Sequence, residues 1–253
     1  MMFDQQRERL RSMTIVAVAG LLLVVASFQW GCNGSTVSSH VPEANVKKQN
    51  LSDQDLMKQV EAFASSDETA AAKAWEVLER YDRQSLISEL TRLYGAAAAD
   101  DHHRVLIAFT FCKLNHEYAL NKKVVLSSLA KESPYKRFYG DWAVSLVHRL
   151  LLGGDKEVLD DLFAAAAWAD GAMATELGGA YSDGLKNDPQ DFLTRLASKS
   201  DDARRQVYLL LQDNSLTKEE NERVKLFLSS VPPTSNLHRT AQETIKALQR
   251  ADN

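Results

Sequence analysis

The chain has 253 residues, with 30 Lys and Arg against 34 Asp and Glu, a formal net charge of −4, and two cysteines, Cys32 and Cys112. That balance provides no basic face for nucleic acid, whose binding rests on neutralising phosphates. If Cys32 is modified or removed with the N-terminal segment, Cys112 has no partner, so stability must come from packing without an internal disulfide.

Residues 1–11 set Arg7, Arg9 and Arg11 against Asp4 and Glu8, and an apolar run over residues 14–32 follows. A basic end before an apolar core reads as an export signal. Three fates are open to it: cleavage after a small residue, retention as a helical anchor, or cleavage just before Cys32 with lipid added to the thiol. Residues 14–30 lie near the lower limit of roughly 17–25 residues for a spanning helix, and Trp30 suits a membrane interface. Gly31 and Cys32 end the run, and Asn33, Gly34, Ser35 and Thr36 open a polar stretch. Here the sequence resembles a bacterial lipoprotein signal, in which a small residue precedes the lipid-bearing Cys. Gln29 and Trp30 stand where such signals usually carry Leu and then Ala or Ser. The resemblance implies lipidation of Cys32 by three acyl chains, a firm anchor where one chain would hold weakly. It also implies outer-membrane sorting, since Asn33 replaces the Asp that retains such proteins at the inner membrane. All three fates place the rest of the chain outside the cytoplasm, facing the periplasm or the cell exterior.

The domain organisation that follows is a signal peptide or anchor at 1–31, a flexible tether at 32–51 and an all-helical domain at 52–253. The tether is polar, without periodicity, and contains Pro42, as flexible linkers do. From Ser52 onward apolar residues recur at three- and four-residue spacing and no stretch alternates, so the domain is predicted to be all-α. Ser133-Pro134 and Asp188-Pro189 place a capping side chain before a proline at the first helical position. Thr217 and Glu220 fit a capping box, and Gly95 and Gly153-Gly154 suit helix ends.

Helix starts near Asp67, Asp101, Pro134, Asp170, Asp201 and Asn236 recur at about 33–36 residues, the period of stacked helix pairs. A second helix in each unit follows one pattern, an acid or amide and then apolar residues four, five and eight positions on. Asp82 leads to Leu86, Ile87 and Leu90; Asn121 to Val125, Leu126 and Leu129; Asp188 to Phe192, Leu193 and Leu196. Units led by Asp155 and Glu220 follow it more loosely. A stripe of this kind cannot be buried by its own helix, so an αα-repeat solenoid of about five helix pairs is predicted, the alternative being an irregular antiparallel helical bundle. Over residues 52–248 the chain resembles the broad HEAT-like and tetratricopeptide-like class of helical repeats. Trp75, Leu78 and Tyr81 resemble the opening of a tetratricopeptide unit, with Glu79 where that unit has Gly. The likeness implies an architecture and no particular ligand.

Several residue groups carry potential chemistry. His102, His103, Cys112 and His116 lie close in sequence, and Cys112 and His116 share a helix face. His102 and His103 precede Cys112 by a turn and a half or more, so the four cannot converge as metal ligands must, and no metal site is expected. Cys112 sits in an apolar run and reads as a buried small residue. Tyr135, Tyr139 and Trp142 form a stripe on a helix predicted to start at Pro134, which reads as core. Asp141 and His148, seven residues apart, are too distant for a catalytic pair. Gly178-Gly179 and Gly184 interrupt a helical stretch where each costs roughly 1 kcal/mol relative to Ala, which predicts a helix break or a close backbone approach. Residues 201–205 and 218–223 mix acids and bases and read as solvated helix ends and faces. No P-loop, nucleophile elbow, paired zinc motif or dinucleotide fingerprint is present.

The leading expectation is a non-enzymatic, membrane-tethered helical repeat that binds a protein or peptide partner in the cell envelope, with no cofactor and no nucleic acid. An envelope inhibitor or immunity factor against a toxic enzyme would share this layout. An envelope hydrolase would need titratable groups gathered in a cleft.

Overall fold

Side-chain caps decide where six of the twelve described α-helices begin. Ser52 Oγ accepts from the Asp55 amide and opens α1, Asp53–Phe63. The Asp67 carboxylate accepts from the Thr69 and Ala70 amides at 2.9 and 3.0 Å and opens α2, Glu68–Leu78. Asp82 does the same for α3, Arg83–Ala96, by accepting from the Ser85 amide. Each such cap contributes roughly 1 kcal/mol by satisfying an otherwise orphaned amide. The chain continues through α4, His103–Lys113, and α5, Tyr118–Ser127, to α6, Gly140–Leu152. A 3-10 turn, Lys156–Val158, leads into α7, Leu159–Ala165, followed by α8, Gly171–Asn187. Pro189 sits in the first turn of α9, Pro189–Ala197, behind the Asp188 cap, and Ser200 caps α10, Asp201–Leu210. Thr217 and Glu220 complete a capping box at α11, Lys218–Ser229, and α12 spans His238–Arg250.

The computed structural model describes residues 51–135, 138–213 and 215–250, all within one compact unit, and among them the regular structure is entirely helical. The chain is therefore all-α. The predicted leader at 1–31, Cys32 and nearly all of the 32–51 tether lie outside the described residues. No described helix is long and apolar enough to cross a membrane.

Three predicted boundaries are corrected. Ser133-Pro134 opens no helix: α6 starts at Gly140, behind an extended Tyr139. Asn121 lies inside α5 and closes the preceding turn, its Nδ2 donating to the carbonyls of His116 and Glu117. That turn is tight enough to put Asn115 and Glu117 at positive φ. Finally, α8 runs unbroken through Gly178-Gly179.

The helices pack mainly on neighbours no more than three helices away along the chain. α1 lies on α2 and α4, α4 on α5, α6 on α8, α7 on α9, α8 on α10, α9 on α11 and α10 on α12. One apolar core runs through these contacts, with Leu78, Leu90, Phe109, Leu146, Phe163, Tyr181 and Phe192 fully buried in it.

Several polar ties between elements share a sequence separation of 30–35, while others span from 19 to 86. Leu51 N donates to Tyr81 Oη, 30 residues on, and Arg83 to the Leu114 carbonyl, 31 residues on. Lys122 meets Asp155 at 2.7 Å and a separation of 33, Lys156 meets Asp188 at 32, His148 meets Asp183 at 35, and Ser215 N reaches Ser182 Oγ at 33. Arg195 Nη1 on α9 and Lys199 Nζ just past its end hold the two oxygens of Asp160 on α7 at 2.6 and 2.5 Å.

Burial raises the Asp160 pKa, but Lys199 and Arg195 more than offset it and hold the carboxyl below its usual value. A carboxylate whose folded pKa is depressed stabilises the fold above its unfolded pKa of about 3.9, and the contribution disappears as pH falls through the folded value. Asp160→Asn is therefore expected to destabilise by about 0.5–1 kcal/mol at neutral pH, a partly exposed pair being screened by solvent. Urea midpoints of variant and wild type should converge below about pH 4.

Candidate functional site

The site with the most chemistry lies where the C-terminal half of α1 meets the start of α4. Phe63, at the end of α1, stacks on Phe109 of α4 at 5.3 Å between ring centroids and packs at a tilt against Trp75 of α2 at 4.9 Å. Two side chains from α6 then fasten the end of α1. Trp142 Nε1 donates to the Ala64 carbonyl at 2.8 Å, and Arg149 Nη1 to the Phe63 carbonyl at 2.6 Å. Terminal carbonyls of a helix have no partner within it, and a cation there also meets the negative end of the helix dipole. The Arg149 guanidinium lies 4.7 Å from the centroids of both Phe63 and Phe109. Burial pushes its pKa down to about 10, against the pull of Glu68, so it stays charged at neutral pH.

This clamp fixes the register of α1 on α4 and brings Glu61 to the α4 N-terminus. Glu61 Oε1 lies 3.0 Å from His103 Nε2. On its other side Asp101 Oδ1 accepts from the His103 backbone amide at 2.9 Å, and faces Nδ1 of both His103 and His102 at 3.0 and 3.2 Å. Burial raises the Asp101 pKa, but the His103 amide and ring, with His102, outweigh it and hold the carboxyl low. The two imidazoles face each other at 4.1 Å between centroids, with the Trp142 ring 6.5 Å from that of His102. Glu61, His102 and His103 are half-buried, and each offers one ligand atom within 4.8 Å of the others. The arrangement can hold a proton between carboxylates or a divalent cation among two nitrogens and an oxygen.

Of the four residues weighed in the sequence as metal ligands, only the two adjacent histidines enter this cluster. Cys112 is buried, its Sγ 4.0 Å from the Tyr118 carbonyl, and burial pushes the thiol up to about 12, so it is not a nucleophile at neutral pH. His116 packs on Phe111 at 5.0 Å between ring centroids. Glu61 gave no sequence signal, for it stands 42 residues before His103.

The aromatic stripe is corrected with the boundary of α6. Tyr139 is 70% exposed and precedes the helix, and Trp142 alone of the three reaches the end of α1. His148 pairs with Asp183 of α8 at 3.0 Å, and Asp141 is no part of that contact. Asp183 also holds Lys186 at 2.7 Å, and Lys186 reaches Glu220 of α11 at 3.4 Å, so a line of polar contacts joins α6, α8 and α11. The close approach foreseen near the glycines of α8 occurs at Gly184. A Cβ there would stand 3.1 Å from Phe192 Cδ2 and 3.3 Å from Leu159 Cδ2, whereas one at Gly179 would meet nothing within 4 Å.

No family model, curated protein or solved structure matches the chain.

Proposed function

We propose that this chain is a non-enzymatic helical-repeat protein of a bacterial cell envelope, exported, anchored by lipid on Cys32, and binding a protein or peptide partner. The observation that carries the reading is a set of polar ties between helices and the turns that flank them, at 30–35 residues, from Leu51 to Ser215. Repetition at that spacing, with each helix packed mainly on near neighbours, is what a solenoid of about five helix pairs requires. Solenoids bind through extended surfaces rather than a single deep site, and large apolar side chains stand exposed on this one. Leu226 is 75% and Leu120 60% exposed, on α11 and α5. Its titratable groups serve as struts between helices, as in the line from His148 to Glu220. The basic end, apolar run and polar tether before Ser52 support export and anchoring.

The experiment joins anchor and partner. Intact mass of protein extracted from membranes is expected to show a chain beginning at Cys32 with added acyl groups, both lost in Cys32→Ser. Crosslinking in intact envelopes is expected to yield a defined adduct with the anchored protein. Leu226→Glu or Leu120→Glu should abolish that adduct while leaving the circular dichroism unchanged. A full-length mass in both proteins would overturn lipidation, and no adduct above a charge-scrambled control would overturn partner binding.

A further inference from the structure

We infer that Glu61, His102 and His103 form a binding site for a divalent transition-metal cation of the zinc type. Two imidazoles and one carboxylate suit Zn²⁺ or its neighbours in the series, whereas Ca²⁺ and Mg²⁺ prefer all-oxygen sites.

The geometry is close to what a cation needs. Zn–N and Zn–O bonds of about 2.0–2.2 Å set neighbouring ligand atoms about 3.3–3.6 Å apart in a tetrahedron. Here Glu61 Oε1 and His103 Nε2 are 3.0 Å apart, and all three ligand atoms lie within 4.8 Å. Small side-chain rotations close that difference.

The surroundings also fit. A metal-bound imidazole normally gives its other ring N–H to a carboxylate, which fixes tautomer and orientation. Asp101 faces Nδ1 of both rings in that way, and His103 Nε2 is turned towards Glu61. Neutral imidazole is the ligating form, so binding should release any proton the rings carry and strengthen with pH. Three protein ligands leave a fourth position for water or a group from a partner. The ligands come from two helices, so the ion would tie α1 to α4 across the Phe63–Phe109 contact.

The test uses the full chain in detergent, stripped with chelator and titrated with Zn²⁺ by calorimetry, with Co²⁺ absorption as a report on coordination. One Zn²⁺ per chain at a Kd of about 10 μM or tighter is expected, together with a rise in Tm under saturating Zn²⁺. Glu61→Gln and His103→Asn should each weaken binding at least tenfold, and His116→Asn should not. His102→Asn guards against variants that fail to fold. His102 makes no side-chain cap bond at the start of α4, so the metal-free variant should match wild type in circular dichroism yet bind at least tenfold more weakly. Binding only near millimolar Zn²⁺ would overturn the proposal. So would stoichiometric binding unchanged by Glu61→Gln, His102→Asn and His103→Asn.

Discussion

Phe192→Ala is expected to lower stability by about 3–5 kcal/mol, seen as a large fall in the urea midpoint with little change in slope. Phe192 is fully buried where three helices meet. Its ring stands edge-on to Phe163 of α7 at 5.1 Å between centroids, and 6.3 Å from that of Tyr181 of α8, whose hydroxyl donates to the Leu162 carbonyl at 2.8 Å. Truncation removes the contacts with both rings and leaves a cavity that neither can fill, because each is held from its own helix. Gly184 supplies an internal check, since a Cβ there would stand 3.1 Å from the Phe192 ring. In the wild type, crowding should cancel the gain of about 1 kcal/mol in helix propensity on Gly184→Ala. In the Phe192→Ala background the same substitution should stabilise, with a coupling above about 0.5 kcal/mol in the double-mutant cycle. Strict additivity would mean that the two residues do not share this space.

Arg149→Ala should cost about 3 kcal/mol, the second large effect. The substitution leaves the Phe63 carbonyl without the 2.6 Å bond that caps the end of α1, and removes a cation held 4.7 Å from the centroids of two aromatic rings. An unsatisfied buried carbonyl costs about 1–3 kcal/mol, and a desolvated cation–π contact about 2. Lysine carries the charge without the planar fork that stacks and donates together, so Arg149→Lys should recover less than half of the loss. Thermal melts of the three proteins decide the point. Full recovery by Lys would reduce the contact to simple charge.

The all-α class was legible because helical periodicity runs unbroken from Ser52, and several boundaries were legible because they are written in single capping residues. Asp67, Asp82, Asp188 and Thr217 each sit where the sequence placed a helix start and accept the expected amide bonds. Ser133-Pro134 carries a similar signal and failed, because the start of α6 is set by tertiary contact. Gly140 lies so close to α8 that a Cβ there would stand 2.7 Å from Met173 Sδ. Asn121 was misread because its amide serves the preceding turn instead of a helix start. The candidate site was half legible. His102 and His103 stood out, but local spacing pointed towards Cys112 and away from Glu61, whose approach is created by packing of α1 on α4. No periodicity within α4 encodes a residue 42 positions upstream.

The clamp on α1 also bears on the order in which the molecule is built. Trp142 and Arg149 reach back 78 and 86 residues to grip Ala64 and Phe63, against separations of 32–35 for ties later in the chain. A chain made from its N-terminus at about 5–20 residues per second produces α6 roughly 4–17 seconds after α1. Throughout that interval α1 can lean on α2 and then α4, but its end cannot be latched. Leu56, Val60 and Phe63, all buried in the finished fold, thus sit on a helix whose end is fastened only after α6 has been made.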